Sequence, residues 1–189
     1  MATRSHDQQI GEERLREATG RSRAEWYTLL DEAGARDWDH TRIARWLGGE
    51  HDVDGWWAQG VTVGYEQSRG LRAPGQRPDG FFEAGVTKTV YVTPAEVWPH
   101  LADDDLRRDW LDVDWPVMGV TEPRTVRFRA GDDSRVLLSV DELPPGRDGR
   151  AKVRIGVAHT RLRDAGVVAE TRKFWKDSLE ALASVLAPG

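Results

Sequence analysis

The sequence predicts an α+β protein in two parts: a small helical bundle, then an antiparallel sheet closed by one long helix. Three observations predict it. Apolar residues recur at helical spacing up to about residue 70. Residues 71–80 then combine two prolines and two glycines with almost no apolar periodicity, as a linker does. Beyond them, short alternating apolar runs end in a single helical stripe over residues 164–186. The boundaries this implies are a helical domain over residues 1–72, a linker over 73–81 and an α+β domain over 82–189.

The first helix is expected over residues 10–19, closed by Gly20. Ser22 and Glu25 form a capping-box pair ahead of a second helix carrying Trp26, Leu29, Leu30 and Ala33, with Gly34 where a left-handed stop belongs. Asp39 caps a third helix with Ile43, Trp46 and Leu47, expected to stop at Gly48-Gly49 and so leave Glu50-His51-Asp52 in a loop. Asp54 caps a fourth, on which Val53, Trp57, Val61 and Tyr65 repeat every four residues. In the second half a strand is expected over residues 86–92. Thr93 and Glu96 then form another capping box, with Pro94 at the first helical position and Val97, Trp98 and Leu101 turned inward. A short helix over 106–111 follows. Val126 and Phe128, then Val136, Leu138 and Val140, then Val153, Ile155 and Val157 each alternate as strands, and a fifth strand is weakly marked over 115–120. A terminal helix over 164–186, roughly 34 Å long, carries Val168, Trp175, Leu179, Leu182, Val185 and Leu186 on one stripe.

Composition narrows the function. There are 27 Lys+Arg against 32 Asp+Glu, a formal charge of −5, which does not favour a generic polyanion binder. Residues 1–75 hold ten Arg and 13 Asp+Glu, and the connection from Gly34 to His40 is longer than a helix-turn-helix allows, so no nucleic acid partner is expected. The chain has no cysteine, hence no disulfide and no thiolate chemistry, and no Asn, hence no glycosylation sequon. Met1 to Gln9 lack the apolar core of a signal peptide, and no apolar stretch is long enough to span a membrane, so a cytoplasmic protein is expected. Signature motifs of serine hydrolases, zinc proteases, phosphate loops and dinucleotide folds are missing. Asp103-Asp104-Asp105 lack the spacing of a calcium loop, and no two histidines share a helix face, so no metal and no cofactor is expected.

Nine tryptophans suit cores and ligand cavities alike. Trp98, Trp110, Trp115, Phe128 and Trp175 either converge as an aromatic pocket or fill a core; Leu179 belongs to the same stripe. His159 shares the parity of Val153, Ile155 and Val157, so it faces the side the terminal helix covers. There it either exchanges a proton with a ligand or has its ring nitrogens satisfied by backbone or an Asp near the strand end. Arg127 and Arg129 face the opposite side, solvated or paired.

Val90-Tyr91-Val92-Thr93-Pro94-Ala95-Glu96-Val97-Trp98 resembles the opening of the START-like, or SRPBCC, superfamily of helix-grip proteins. Arg108-Asp109-Trp110-Leu111, the run from Val153 to His159 with Leu162, Phe174-Trp175 and the run from Leu179 to Leu186 resemble its branch of heat-shock-ATPase activator homologues. The first 72 residues resemble a helical domain of unknown function found fused in front of such modules in bacteria. The matching residues are Thr19-Gly20-Arg21, Trp26, Gly34, His40, Ile43, Trp46-Leu47, Gly55-Trp56-Trp57-Ala58-Gln59, Tyr65-Glu66 and Arg69-Gly70. The superfamily commonly has six or seven strands around a roomy cavity; four or five are expected here.

The resemblance implies a helix-grip domain whose sheet and closing helix enclose an apolar space. The leading expectation is therefore reversible binding, by sequestration or transport, of a small hydrophobic, aromatic-compatible molecule. The ligand-binding residues would be Trp98, Trp110, Trp115, Phe128, His159, Trp175 and Leu179. Two alternatives stand beside it: a protein-interaction module of the chaperone-activator kind, and a cyclase- or hydrolase-like enzyme using His159.

Overall fold

The computed structural model describes residues 11–187; the readings of Met1 to Gln9 and of Ile10 as a helix start lie outside them. The chain forms two compact units, divided between Gly80 and Phe81.

The first unit holds α1 (Glu12–Thr19), α2 (Arg23–Glu32), a 3-10 turn (Ala35–Asp37), α3 (His40–His51) and α4 (Gly55–Ser68). The Ser22–Glu25 capping box is complete in both directions, and Gly34 follows α2 with φ +77°, a left-handed conformation only glycine takes without cost. Asp39 and Asp54 cap α3 and α4 through their carboxylates. Leu15, Trp26, Leu30, Ile43, Leu47 and Tyr65 are the centre of its core. The fully buried indole N–H of Trp26 is satisfied by Thr19 Oγ1 at 2.8 Å.

Gly48-Gly49 does not end α3. The helix runs on to His51 and stops at Asp52, which is left-handed (φ 53°) and, like Val53, returns its amide to the Leu47 carbonyl. Two helical glycines cost about 1 kcal/mol each, an amount that burying Ile43, Leu47 and Val53 outweighs. Glu50 and His51 thus belong to the last helical turn. Of the linker expected over residues 73–81, residues 73–80 fall within the helical unit and Phe81 opens the second. Gly70 ends α4 in a Schellman turn, with Leu71 N–H on the Glu66 carbonyl (2.8 Å) and Gly70 N–H on Gln67 (3.2 Å). Gln76 then ties the loop down, accepting from Ala73 N–H (2.9 Å) and donating to the Gly80 carbonyl (2.7 Å).

The second unit holds β1 (Phe82–Val90), α5 (Pro94–Ala102), α6 (Asp104–Arg108), β2 (Val117–Thr121), β3 (Thr125–Arg129), β4 (Arg135–Leu143), β5 (Lys152–Leu162) and α7 (Val167–Val185). The strands form one antiparallel sheet in the order β1-β5-β4-β3-β2, and α7 lies against β1 and β5. This is the helix-grip arrangement. The weakly marked fifth strand exists as the edge strand β2. Strand β1 starts four residues earlier than its apolar alternation marks, because Phe82 and Ala84 pair with Leu162 and His159 at the far end of β5. The second short helix begins at Asp104, earlier than expected, since the Asp103 carboxylate accepts from the Asp105 and Leu106 amides. Helix α7 spans 19 residues, about 28 Å. Its Val185 is exposed, on a face turned away from the core that Leu182 and Leu186 on either side of it pack against, whereas Trp175, Leu179 and Leu182 are buried.

Candidate functional site

Around three of the expected lining residues the space between α7 and the sheet is filled. A side chain that no water-sized sphere can touch cannot line a cavity, and Trp175 has no exposed surface, Leu179 1 % and Phe128 2 %. Trp98, Trp110 and His159 are each buried as well. These side chains belong to one core that also takes in Val97, Leu101, Leu138 and Ile155. The Trp110 indole donates to the His100 carbonyl at 2.8 Å, a core tryptophan's ordinary solution. The sequence-marked residues are thus brought together, but by mutual packing; of the seven, Trp115 alone is half-buried.

His159 sits on β5 opposite Val136 on β4 and Ala84 on β1, and meets α7 at Trp175 near the middle of that helix. Its neighbours define its protonation. The Trp175 indole N–H, which can only donate, reaches His159 Nδ1 at 3.0 Å. The neutral ring therefore carries its proton on Nε2 and donates to Ser134 Oγ at 2.6 Å. Ser134 in turn donates to Asp132 Oδ1 at 2.5 Å, in the β3–β4 turn. The chain Trp175→His159→Ser134→Asp132 leaves both imidazole nitrogens and the serine proton engaged. Burial pushes the His159 pKa below its ordinary value, against a smaller opposing pull from Asp132. The Ser134 hydroxyl holds the Asp132 carboxyl low.

The direction of these bonds decides the chemistry. A histidine that activates a nucleophile accepts the nucleophile's proton and is braced by a carboxylate on its other nitrogen. Here the histidine donates to the serine, the carboxylate sits beyond the serine, and an indole occupies the bracing position. Ser134 itself is fully buried. The wiring is that of a satisfied core histidine, its partners being a side-chain hydroxyl and an indole rather than the backbone.

Trp115, in the irregular segment between α6 and β2, covers this cluster from outside. Its ring lies 5.9 Å from both His159 and Trp175 and 6.4 Å from Phe174, centroid to centroid. Sequence reading missed three features nearby. Arg107 is buried with its guanidinium 4.8 Å from the Phe128 ring, bonded to the Leu101 carbonyl and to Asp104. Edge strand β2 exposes Met118 and Val120, each 52 %, and Val117. A surface groove of about 490 Å³ runs along Pro94, Pro123, Arg124, Thr125 and Asp141. Only β2 left a signal in the sequence, an uncharged apolar run between Pro116 and Glu122-Pro123. Among the described residues no cluster could hold a metal ion, and no helix is long and apolar enough to cross a membrane.

No family model matches the chain, and no curated protein matches it. Among solved structures it is similar to DynU16, from the dynemicin biosynthetic locus, at 18% identity over 55% of this chain and TM-score 0.44; the match spans less than half of DynU16, 46%. It is similar to the Aha1 dimer protein of Colwellia psychrerythraea at 14% identity over 55% of this chain and 95% of that one, TM-score 0.44. It is also similar to CalU16 of Micromonospora echinospora at 16% identity over 56% of this chain and 76% of that one, TM-score 0.44.

Proposed function

We propose that the helix-grip unit is a protein-interaction module that captures an extended apolar segment of another polypeptide along β2. The observation that carries this reading is where the apolar surface lies: packed solid inside, exposed at an open sheet edge. Among the described residues strand β2 pairs with β3 on one side only, and its sequence Val117-Met118-Gly119-Val120-Thr121 contains none of the Lys, Pro or inward charge that ordinarily blunts an edge. A free edge offers backbone donors and acceptors for a sixth strand, and exposed apolar side chains on both of its faces add affinity. Phe174, also exposed and in ring contact with Trp115, extends apolar surface onto α7. An array of extended apolar peptides, probed with the full chain, tests this. Capture that is lost in Met118→Lys supports it; equal capture by the variant, or no capture, overturns it.

A second reading, binding of a small hydrophobic molecule, is favoured by Trp115. It is the half-buried ring over an otherwise sealed aromatic cluster and sits on a segment without regular structure. In this reading Trp115 swings aside and the ligand enters against Trp175, His159 and Phe128. A thermal shift and indole fluorescence change with aromatic metabolites, enlarged in Trp115→Ala, supports it; no response in either protein removes it.

A further inference from the structure

The helical unit contains a half-open cleft of about 260 Å³, bounded by the start of α3 and the loop that closes α4. Arg36, Trp38, His40, Arg72, Arg77 and Leu71 contribute to its walls. The volume lies just below the roughly 300–1,000 Å³ typical of drug-sized ligand sites, so an occupant is smaller than that. The walls are held in place from behind. Glu66, itself buried, receives His40 Nδ1 at 3.0 Å and Arg72 at 3.2 Å, and His40 Nε2 meets Gln59 Oε1 at 2.7 Å. Arg72 Nε also reaches the Gln76 carbonyl at 2.5 Å. The loop is therefore a fixed wall.

Its chemistry is one-sided. Both acids in the walls are committed: Glu66 to His40 and Arg72, and Asp39 through Oδ1 to the Arg42 amide as the cap of α3. Arg36 is bonded to Asp31 through Nε alone, at 3.2 Å, and its two terminal nitrogens meet no partner among the described residues. The Trp38 indole N–H likewise has none; the ring instead carries the Arg42 guanidinium at 4.3 Å and Trp46 edge-on at 5.9 Å. His40 faces acceptors with both nitrogens, which favours the imidazolium. What the cleft has to offer is thus donors and positive charge, in a chain whose net charge is −5. Leu71 and Pro78 supply an apolar side.

We propose that this cleft binds a small organic carboxylate, its anion taken by the free amino groups of Arg36 and the Trp38 indole N–H and its apolar body laid against Leu71 and Pro78. A planar guanidinium end matches a carboxylate bidentately, and an acceptor-only group satisfies donors without bringing new ones. This site is independent of the edge strand and of the helix-grip interior.

Titration of the full-length chain with benzoate, read on the Trp38 indole N–H resonance assigned with Trp38→Phe, tests it. Benzamide, the neutral near-isostere, and inorganic phosphate serve as comparisons. Benzoate shifts the resonance saturably and binds at least about tenfold more tightly than benzamide. Arg36→Gln removes that preference and leaves benzamide binding unchanged; Asp31 keeps Arg69 and Tyr65, so the fold is retained. Equal binding of benzoate and benzamide, an unaltered benzoate affinity in Arg36→Gln, or no saturable shift overturns the proposal. Phosphate binding as tight as benzoate also overturns it, because the apolar wall would then contribute nothing.

Discussion

Replacing Trp175 with Phe tests the buried relay of the helix-grip unit directly. The substitution keeps an aromatic ring but removes the N–H that His159 Nδ1 accepts at 3.0 Å. A buried acceptor left without a partner costs about 1–3 kcal/mol. The smaller ring also gives up roughly two methylenes' worth of burial at about 0.8 kcal/mol each, from a site with no exposed surface to relax into. The expected loss is about 3–4 kcal/mol in total. Ser134→Ala acts on the other ring nitrogen and strands His159 Nε2–H, while Asp132 Oδ1 keeps the Ser134 backbone amide at 3.0 Å; the cost is about 1–3 kcal/mol. Because both substitutions act through one imidazole, their effects couple, by about 0.5–3 kcal/mol in a double-mutant cycle. Native-state hydrogen exchange of β4 and β5 amides in the full chain reads this unit alone. Nitrogen-15 shifts of His159 report the freed Nδ1. A Trp175→Phe loss below about 1 kcal/mol, or strict additivity within about 0.5 kcal/mol, would refute the wiring.

The two histidine networks have opposite pH signatures. His159 is held below its ordinary 6.5, so its contribution is present above that value and is lost as pH falls through the folded pKa. His40 is raised, first by its bond to Glu66, so its contribution is full below 6.5 and lost as pH rises through the folded pKa. Proton NMR titration should place the two transitions on opposite sides of 6.5; coincident transitions would contradict both networks. Asp31→Ala strips an acceptor from the buried Tyr65 hydroxyl (2.9 Å) and from Arg69 (2.6 Å). It should cost the helical unit about 2 kcal/mol in urea unfolding. The same variant should lower the Tyr65 phenol, which burial and then Asp31 push up to about 12, as ultraviolet titration would report. Met118→Lys, on an exposed edge, should leave global stability within about 0.5 kcal/mol while acting on capture.

Sequence pattern carried the elements whose signal is local. Capping boxes at Ser22 and Thr93 are present atom for atom. The alternations through Val126, Val136 and Val153 became neighbouring strands because period two commits one face to burial. What failed was the reading of glycine and proline as punctuation. Gly48-Gly49 lies inside α3, and Pro74 to Gly80 form a hydrogen-bonded wall, because tertiary burial and Gln76 override local preference. The His159 partners were not legible either. Ser134 lies 25 residues before it and Trp175 lies 16 after it, and only the β4–β5 register and the path of α7 bring them together. The cleft in the helical unit left no motif, since its donors come from a 3-10 turn, a helix start and a loop.

Whether a helix-grip fold is hollow depends on the ratio of side-chain volume to sheet. Five strands curve around less space than a longer sheet does, and this unit places Trp98 of α5, Trp110 of the turn after α6 and Trp175 of α7 inside it. Two of these indoles spend their N–H groups on interior acceptors, the His100 carbonyl and His159 Nδ1, so the rings are oriented as well as buried. A ligand entering this space would have to displace an indole and leave its acceptor bare, a cost of about 1–3 kcal/mol before any contact is made. Trp115 has no such bond among the described residues and can move without that cost. An opening of the interior that spares those bonds would therefore start at Trp115, two residues before β2, the strand whose apolar edge is already exposed.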